Sequence, residues 1–317
     1  MRPVLSAPVV LGAGGRLGRV VESLLAALEP ATVGATRTEI DITDYFRLRE
    51  EFERFEPTLV INCAALADVD RCEAEPELAM LVNAEGAGNV ARACRESGAR
   101  LIQISTDCVF AGDGGAPHAE EDLPAPGSRY GMSKWEGEKR ALQLCPGALV
   151  VRTSWLYGPS EGDFVERTLE IAGREGWVGG VVDQIASPTY TPDLAQALVD
   201  LARAGADGVA HFTNTGACTR HQFALRIVAM AGVAGGLTEK PQRWSELGRR
   251  APRPANSMLS SARFTALASR TPRPWEEALA EHLAARARAG PARRGETPRR
   301  SSEPPRRPGG GAGRARP

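Results

Sequence analysis

Residues 9–25, VVLGAGGRLGRVVESLL, change character twice in a short space. An apolar run ends at Leu11, glycines follow at Gly12, Gly15 and Gly18, and the helical pattern LGRVVESLLAALE begins. So tight a turn between a strand and a helix needs residues without a Cβ. Close backbone approach then lets the helix N-terminus face a pyrophosphate, where its free N–H groups and partial positive charge suit the anion. Three glycines alone are a weak signal, but the strand-turn-helix context makes Gly12, Gly15 and Gly18 candidate cofactor contacts.

The alternation continues. ATVGAT precedes DYFRLREEFERF, TLVINCAA precedes ELAMLVNAEGAGNVARACRESG, RLIQIST precedes YGMSKWEGEKRALQL, and ALVVRTSWLYG closes the series. Strands alternating with helices indicate right-handed βαβ units, hence an α/β fold with a doubly wound parallel sheet of the Rossmann type. Ligands in such sheets bind outside the carboxyl ends of the strands. ISTDCVFAG (104–112) therefore places Ser105, Thr106 and Asp107 at an active-site edge.

After Tyr157 the pattern loosens into DFVERTLEIAG, PDLAQALVDLARAG, RHQFALRIVAMAG and WEEALAEHLAARA, all helical in spacing, with KPQRWSELGRRAPRPANSML loop-like. The expected organisation is a Rossmann domain over 1–157, with returning strands near 179–215. A smaller C-terminal substrate lobe covers 158–285 and a tail 286–317.

The 317 residues are 42% hydrophobic, enough for one substantial core or two that share a face. The formal charge is zero but unevenly spread. From Arg286 onward ten arginines face only Glu296 and Glu303, so the body carries eight excess negative charges. A body of that sign is a poor nucleic-acid binder. The tail, built of Arg, Pro, Gly and Ser, cannot bury enough apolar surface to offset its ordering entropy and is expected to be disordered. Cys63, Cys72, Cys94, Cys108, Cys145 and Cys218 show no metal-like spacing, which fits a reducing compartment. Without a signal-like or membrane-spanning run, a soluble cytoplasmic protein is expected.

The second strand bears on cofactor choice. An NAD site wants an acid at that strand's end, but GATRTEID offers Thr36 and Arg37 with no acid before Glu39. Arg37, with Arg16, suits a 2′-phosphate, so NADPH is expected, with NADH as the alternative. In YGMSKWEGE, Tyr130 and Lys134 stand four apart and share a helix face. A lysine ammonium about 5 Å from a phenol contributes roughly 3 kcal/mol at an effective dielectric of about 20, or about two pK units. That is expected to bring Tyr130 down toward a pKa suited to general acid-base work.

The glycine turn, the Thr-ended strand and YxxxK together resemble the extended short-chain dehydrogenase/reductase superfamily. RTEIDITD, VINCAALADVDRCEAEPELAMLVNAEG, ISTDCVFAG, YGMSKWEGE, VVRTSWLYG, VVDQIASPTYTPDLA and PRPANSML, in that order, are similar to the signatures of the dTDP-4-dehydrorhamnose reductase family. The resemblance implies NADPH-dependent reduction of a nucleotide-linked keto-sugar, dTDP-4-dehydrorhamnose to dTDP-L-rhamnose. It implies that Thr106 and Tyr130 hold the C4 carbonyl oxygen, that Tyr130 donates the proton, and that Lys134 tunes Tyr130 and bonds the nicotinamide ribose. Gly15, Arg16 and Leu17 match the phosphate turn, Asp41 and Ile42 the adenine-side contacts, and Ala65, Leu66 and Ala67 the cofactor-lining loop. Asp107, Cys108 and Trp155 match positions that meet the sugar, Trp155 by stacking. A homodimer is implied by superfamily habit alone.

Departures accompany the resemblance. Cys108 stands where Tyr or Phe is usual, Ala67 where Thr is frequent, and Arg220 where Trp is frequent. A thiol at 108 supplies neither the hydrogen bond nor the area of a phenol, and with no paired base it reads as a small buried thiol rather than a nucleophile. Val20 stands where some members carry a magnesium-binding glutamate, so no metal is carried over. Two alternatives remain. A sugar-nucleotide epimerase or 4,6-dehydratase shares the superfamily, although Cys108 breaks the acidic pair that dehydration needs. A non-catalytic, NADP-binding regulatory subunit of methionine adenosyltransferase, of the beta type, shares the fold.

Overall fold

The computed structural model describes residues 5–160 and 162–289. Five parallel strands form in the order met along the chain: β1 (Pro8–Leu11), β2 (Val33–Ala35), β3 (Leu59–Asn62), β4 (Arg100–Thr106) and β5 (Leu149–Thr153). Between them run α1 (Gly18–Leu28), α2 (Tyr45–Phe55), α3 (Val69–Ala74), α4 (Pro76–Met80), α5 (Gly86–Ser97) and α6 (Arg129–Leu144). A π-helical turn, Leu81–Glu85, joins α4 to α5.

The short strands β6 (Leu156–Tyr157), β7 (Trp177–Val181), β8 (Ile185–Ala186) and β9 (Thr189–Tyr190) follow, with α7 (Phe164–Glu175) after β6 and α8 (Thr191–Arg203) after β9. The chain then forms β10 (Gly208–His211), β11 (Cys218–Thr219), α9 (Arg220–Met230), β12 (Thr238–Gln242), α10 (Ala262–Ala268) and α11 (Trp275–Ala289).

The main sheet has the order β10-β5-β4-β3-β1-β2, all parallel. The residue alternation explains why it is covered on both faces. Val10, Leu59, Ile61, Ile102, Leu149 and Val151 point into one core, completed by α1, α8 and α10. Val9, Leu11, Val60, Leu101 and Val150 point into the other, against α2, α5 and α6. A strand apolar at every position fits only such a sheet. Each fully buried Leu, Ile or Val contributes about 1.5–3 kcal/mol. Strand order reverses between β2-β1 and β3, and the crevice above that switch point is where the fold places a ligand.

Of the two segments expected to return to the sheet, β10 joins it beside β5, whereas β7 pairs in parallel with β12. β12 itself lies in a stretch that reads as loop. TEKPQ is polar and contains Pro241, which an exposed edge strand tolerates. A separate aromatic core of Tyr157, Tyr190, Phe223 and Trp275 holds α7, α9 and α11 together. α11 runs through Arg286 to Ala289, past the expected start of the tail; residues 290–317, where disorder is expected, lie outside the described residues. Among the described residues no helix is long and apolar enough to cross a membrane.

Candidate active site

The turn after β1 is built on close approach. Gly12 has φ +76°, and a Cβ there would stand 2.7 Å from the Ala64 nitrogen at the end of β3. Gly15 N–H closes the turn on Gly12 O at 2.9 Å, and Leu17 enters α1 without a side-chain cap. The backbone N–H groups of Arg16, Leu17 and Gly18 find no backbone acceptor among the described residues. All three residues line a cavity of about 810 Å³. Orphan donors at a helix N-terminus facing a cavity fit a dinucleotide pyrophosphate.

The same cavity is lined by Thr106, Asp107, Cys108, Tyr130, Lys134 and Trp155, the expected reacting and sugar-side residues. Two local features bring them together. β4 ends at Thr106 in a tight turn, where Thr106 Oγ1 accepts from Cys108 N–H (3.1 Å) and donates to Asp107 Oδ1 (3.0 Å). Ser128 caps α6 by accepting from Gly131 N–H at 3.1 Å, and Gly131 presses so close to the Cys108 carbonyl that a Cβ would fall 2.1 Å from its oxygen. Only a glycine next to Tyr130 lets the helix meet the end of β4.

The electrostatics differ from expectation in one respect. Burial pushes the Tyr130 phenol up, the Asp107 charge adds to this, and the Thr106 hydroxyl opposes it. Any attraction from Lys134 does not overcome that burial. The Lys134 ammonium donates to Ile104 O at 2.7 Å and is itself buried, which pulls its pKa down to about 8 against the opposing charge of Glu138. Desolvation therefore outweighs the pairwise attraction that spacing alone suggests. The result is a phenol that keeps its proton at neutral pH. Burial also raises the Cys108 thiol, with Asp107 adding to it, which leaves it protonated and unreactive.

Asp107 is buried, and burial raises its pKa against hydrogen bonds from Ser257 and Thr106. Ser257 Oγ donates to its Oδ2. Trp155 adopts φ +43°, a conformation rare for a bulky side chain. One face of its ring is already covered, since the Arg220 guanidinium lies 3.7 Å from the ring centroid. The expected sugar stacking has at most the other face.

Elsewhere the expected contacts divide. Ala65 and Ala67 line the cavity, but Leu66 does not. Leu66 N–H donates to Asn83 Oδ1 (2.8 Å) and its carbonyl accepts from Asn83 Nδ2 (3.0 Å), so its polar groups are taken. Arg37, Asp41 and Ile42 lie outside this cavity, on the segment after β2. Arg37, 74% exposed, pairs with Asp41 at 3.2 Å. Burial raises Asp41, but hydrogen bonds from Thr43 and Arg37 outweigh it and hold the carboxyl below its usual range. Ile42 is buried in the core beside Gly86, and its carbonyl already accepts from Asn89 Nδ2 at 3.1 Å.

Sequence reading assigned no role to Asn83, Glu138, Arg152 or Ser257. Asn83, turned inward by the π-helical stretch, also donates to Ser133 Oγ at 3.0 Å and so joins the cofactor loop to α6. Glu138 repeats the Tyr130–Lys134 interval one turn further along α6. A buried acid on that face signals a partner, and the partner is Arg152 on β5, at 2.8 Å.

A family model described as RmlD substrate binding domain matches residues 8–288. A dTDP-4-dehydrorhamnose reductase of Mycobacterium tuberculosis is 42% identical over 284 residues, covering 87% of this chain and 92% of that protein. A dTDP-4-keto-6-deoxy-D-glucose reductase of Streptomyces niveus is 39% identical over 229 residues, 72% of this chain and 80% of that one. The crystal structure of dTDP-4-dehydrorhamnose reductase from Bacillus anthracis in complex with NADP superposes with a TM-score of 0.85 at 33% identity, covering 88% of this chain and 99% of that one. With the family model spanning nearly all the described residues, the chain belongs to the dTDP-4-dehydrorhamnose reductase family, a family of NAD(P)H-dependent oxidoreductases.

Proposed function

We propose that the chain reduces the C4 keto group of a dTDP-linked 4-dehydro-6-deoxy sugar with NADPH, dTDP-4-dehydrorhamnose being its substrate. The observation that carries this is a single cavity lined both by the phosphate turn and by Thr106, Tyr130 and Lys134. Two relatives named for different dTDP-linked 4-keto sugars support the substrate class. Gly15, Arg16, Leu17 and Gly18 would hold the cofactor's pyrophosphate, and Ala65 and Ala67 would flank it. When bound, NADPH supplies a hydride to the carbonyl carbon.

The protein's part is then to hold an oxygen and deliver a proton. Tyr130, kept protonated by its burial, donates from its hydroxyl to the developing alkoxide. Thr106 has one proton to give and gives it to Asp107. To hold a carbonyl oxygen it turns away, leaving Asp107 with Ser257. The Lys134 ammonium favours the phenolate that donation leaves behind.

Because Lys134 titrates near 8, its charge is present below that pH and lost as pH rises through it. The expected result is NADPH oxidation by dTDP-4-dehydrorhamnose with kcat/KM level toward acid, then falling about tenfold per unit above about pH 8. A rate that rises through this range contradicts the assignment of Lys134. NADPH bound but never oxidised by the keto-sugar favours the non-catalytic subunit instead.

A further inference from the structure

The cavity wall carries a cation that the reduction itself does not use. Arg220, the first residue of α9, lies with its guanidinium carbon 3.7 Å from the centroid of Trp155 and 5.0 Å from that of Phe164. The two rings hold the group flat, as cation–π contacts do. Among the described residues no hydrogen bond and no ion pair engages its five N–H donors, and its surroundings act on it only by burial and through-space charge. Asp107 acts on it only through its charge, because that carboxylate is already bonded by Ser257 and Thr106.

A half-buried guanidinium with free donors is costly unless something arrives to pair with it. Its surroundings select the sign of that ligand. Among the described residues six cations line the cavity (Arg16, Lys134, Arg167, Arg220, Arg249 and Arg253) against two carboxylates, Asp70 and Asp107. Asp70 is occupied by Arg249 (3.2 Å) and Arg253 (3.6 Å). Arg167 faces the same space and repels Arg220. The phosphate turn already accounts for one anion, and the remaining surplus of cations suits a second. A planar fork with parallel donors matches paired phosphate oxygens.

We propose that Arg220, held between Trp155 and Phe164, binds the diphosphate of the sugar-nucleotide substrate and so sets substrate affinity rather than the chemical step. This rests on the nucleotide-sugar assignment above. The same diphosphate chemistry also occurs in the cofactor, and the test separates the two sources.

The full chain, saturated with NADPH, is titrated calorimetrically with thymidine diphosphate and with thymidine, as wild type, R220M and R220K. The expected result is thymidine diphosphate binding weakened about tenfold or more in R220M and partly restored in R220K, with thymidine and NADPH affinities unchanged. Equal binding of thymidine diphosphate by R220M and wild type overturns the inference alone. Parallel loss of NADPH and thymidine diphosphate in R220M assigns Arg220 a structural role and also overturns it. Wild-type protein that binds NADPH but neither thymidine ligand overturns the nucleotide-sugar assignment as well.

Discussion

Tyr130→Phe is expected to lower kcat for keto-sugar reduction by about 10²- to 10⁴-fold while leaving the fold and NADPH affinity intact. The substitution removes a single oxygen. The Tyr130 backbone carbonyl still accepts from Ser133 Oγ at 2.8 Å, and α6 keeps its Ser128 cap. What disappears is the proton that burial holds on the phenol at neutral pH. Thr106 cannot replace it, since an aliphatic hydroxyl is a far weaker acid and its own proton is engaged with Asp107. KM is expected to change little, because the loss falls on the transition state. The check is steady-state NADPH oxidation beside cofactor titration of both proteins. A variant retaining more than about a tenth of wild-type kcat would remove Tyr130 from the proton-transfer role.

Arg152→Met is expected to cause the largest loss of stability. Arg152 and Glu138 have side chains only 3% exposed, joined through Nε and Nη2 at 2.8–3.2 Å. Ser105 donates to the same carboxylate, and Arg152 Nη1 lies 3.3 Å from His211 Nε2. Burial, reinforced by the Arg152 charge, depresses His211 to about 3, so its imidazole is neutral and accepts. Removing the guanidinium leaves Glu138 charged and buried with only Ser105 bonded to it. Breaking such a pair costs about 3–5 kcal/mol, roughly a 5–8 °C fall in Tm for a chain of this size. Replacing both partners, R152M with E138L, removes the stranded charge and is expected to recover much of that loss. Thermal unfolding of the single and double variants checks both parts, and a single variant as stable as wild type would refute the account of this pair.

That pair also marks where legibility ended. Thr106, Tyr130 and Lys134 could be read because strand ends and helix faces follow from local spacing, and the alternation of apolar runs with helical patterns pointed to a doubly wound parallel sheet. Arg152 and Glu138 meet only because Ser105 and Arg152 sit in register on neighbouring strands while α6 packs across them. Asp70 reaches Arg249 and Arg253 across most of the chain, and no local pattern announces such a contact. β12 was hidden for another reason. Its residues are exposed and polar, and its pairing depends on the β7 edge rather than on its own propensity. The tuning of Tyr130 was misjudged because interval alone carries the Coulomb attraction but not the desolvation that opposes it. Trp155 was legible as a cavity residue; Arg220 covering it was not, because the two come from different elements.

The most direct measurement of the central claim is the fate of a labelled hydride. NADPH deuterated at the transferring position is incubated with the protein and dTDP-4-dehydro-β-L-rhamnose, and the sugar product is examined by NMR. Direct transfer at the Thr106–Tyr130–Lys134 site predicts deuterium at C4 alone, with one NADPH consumed for each sugar reduced. Tight NADPH binding with no deuterium in the sugar would contradict it.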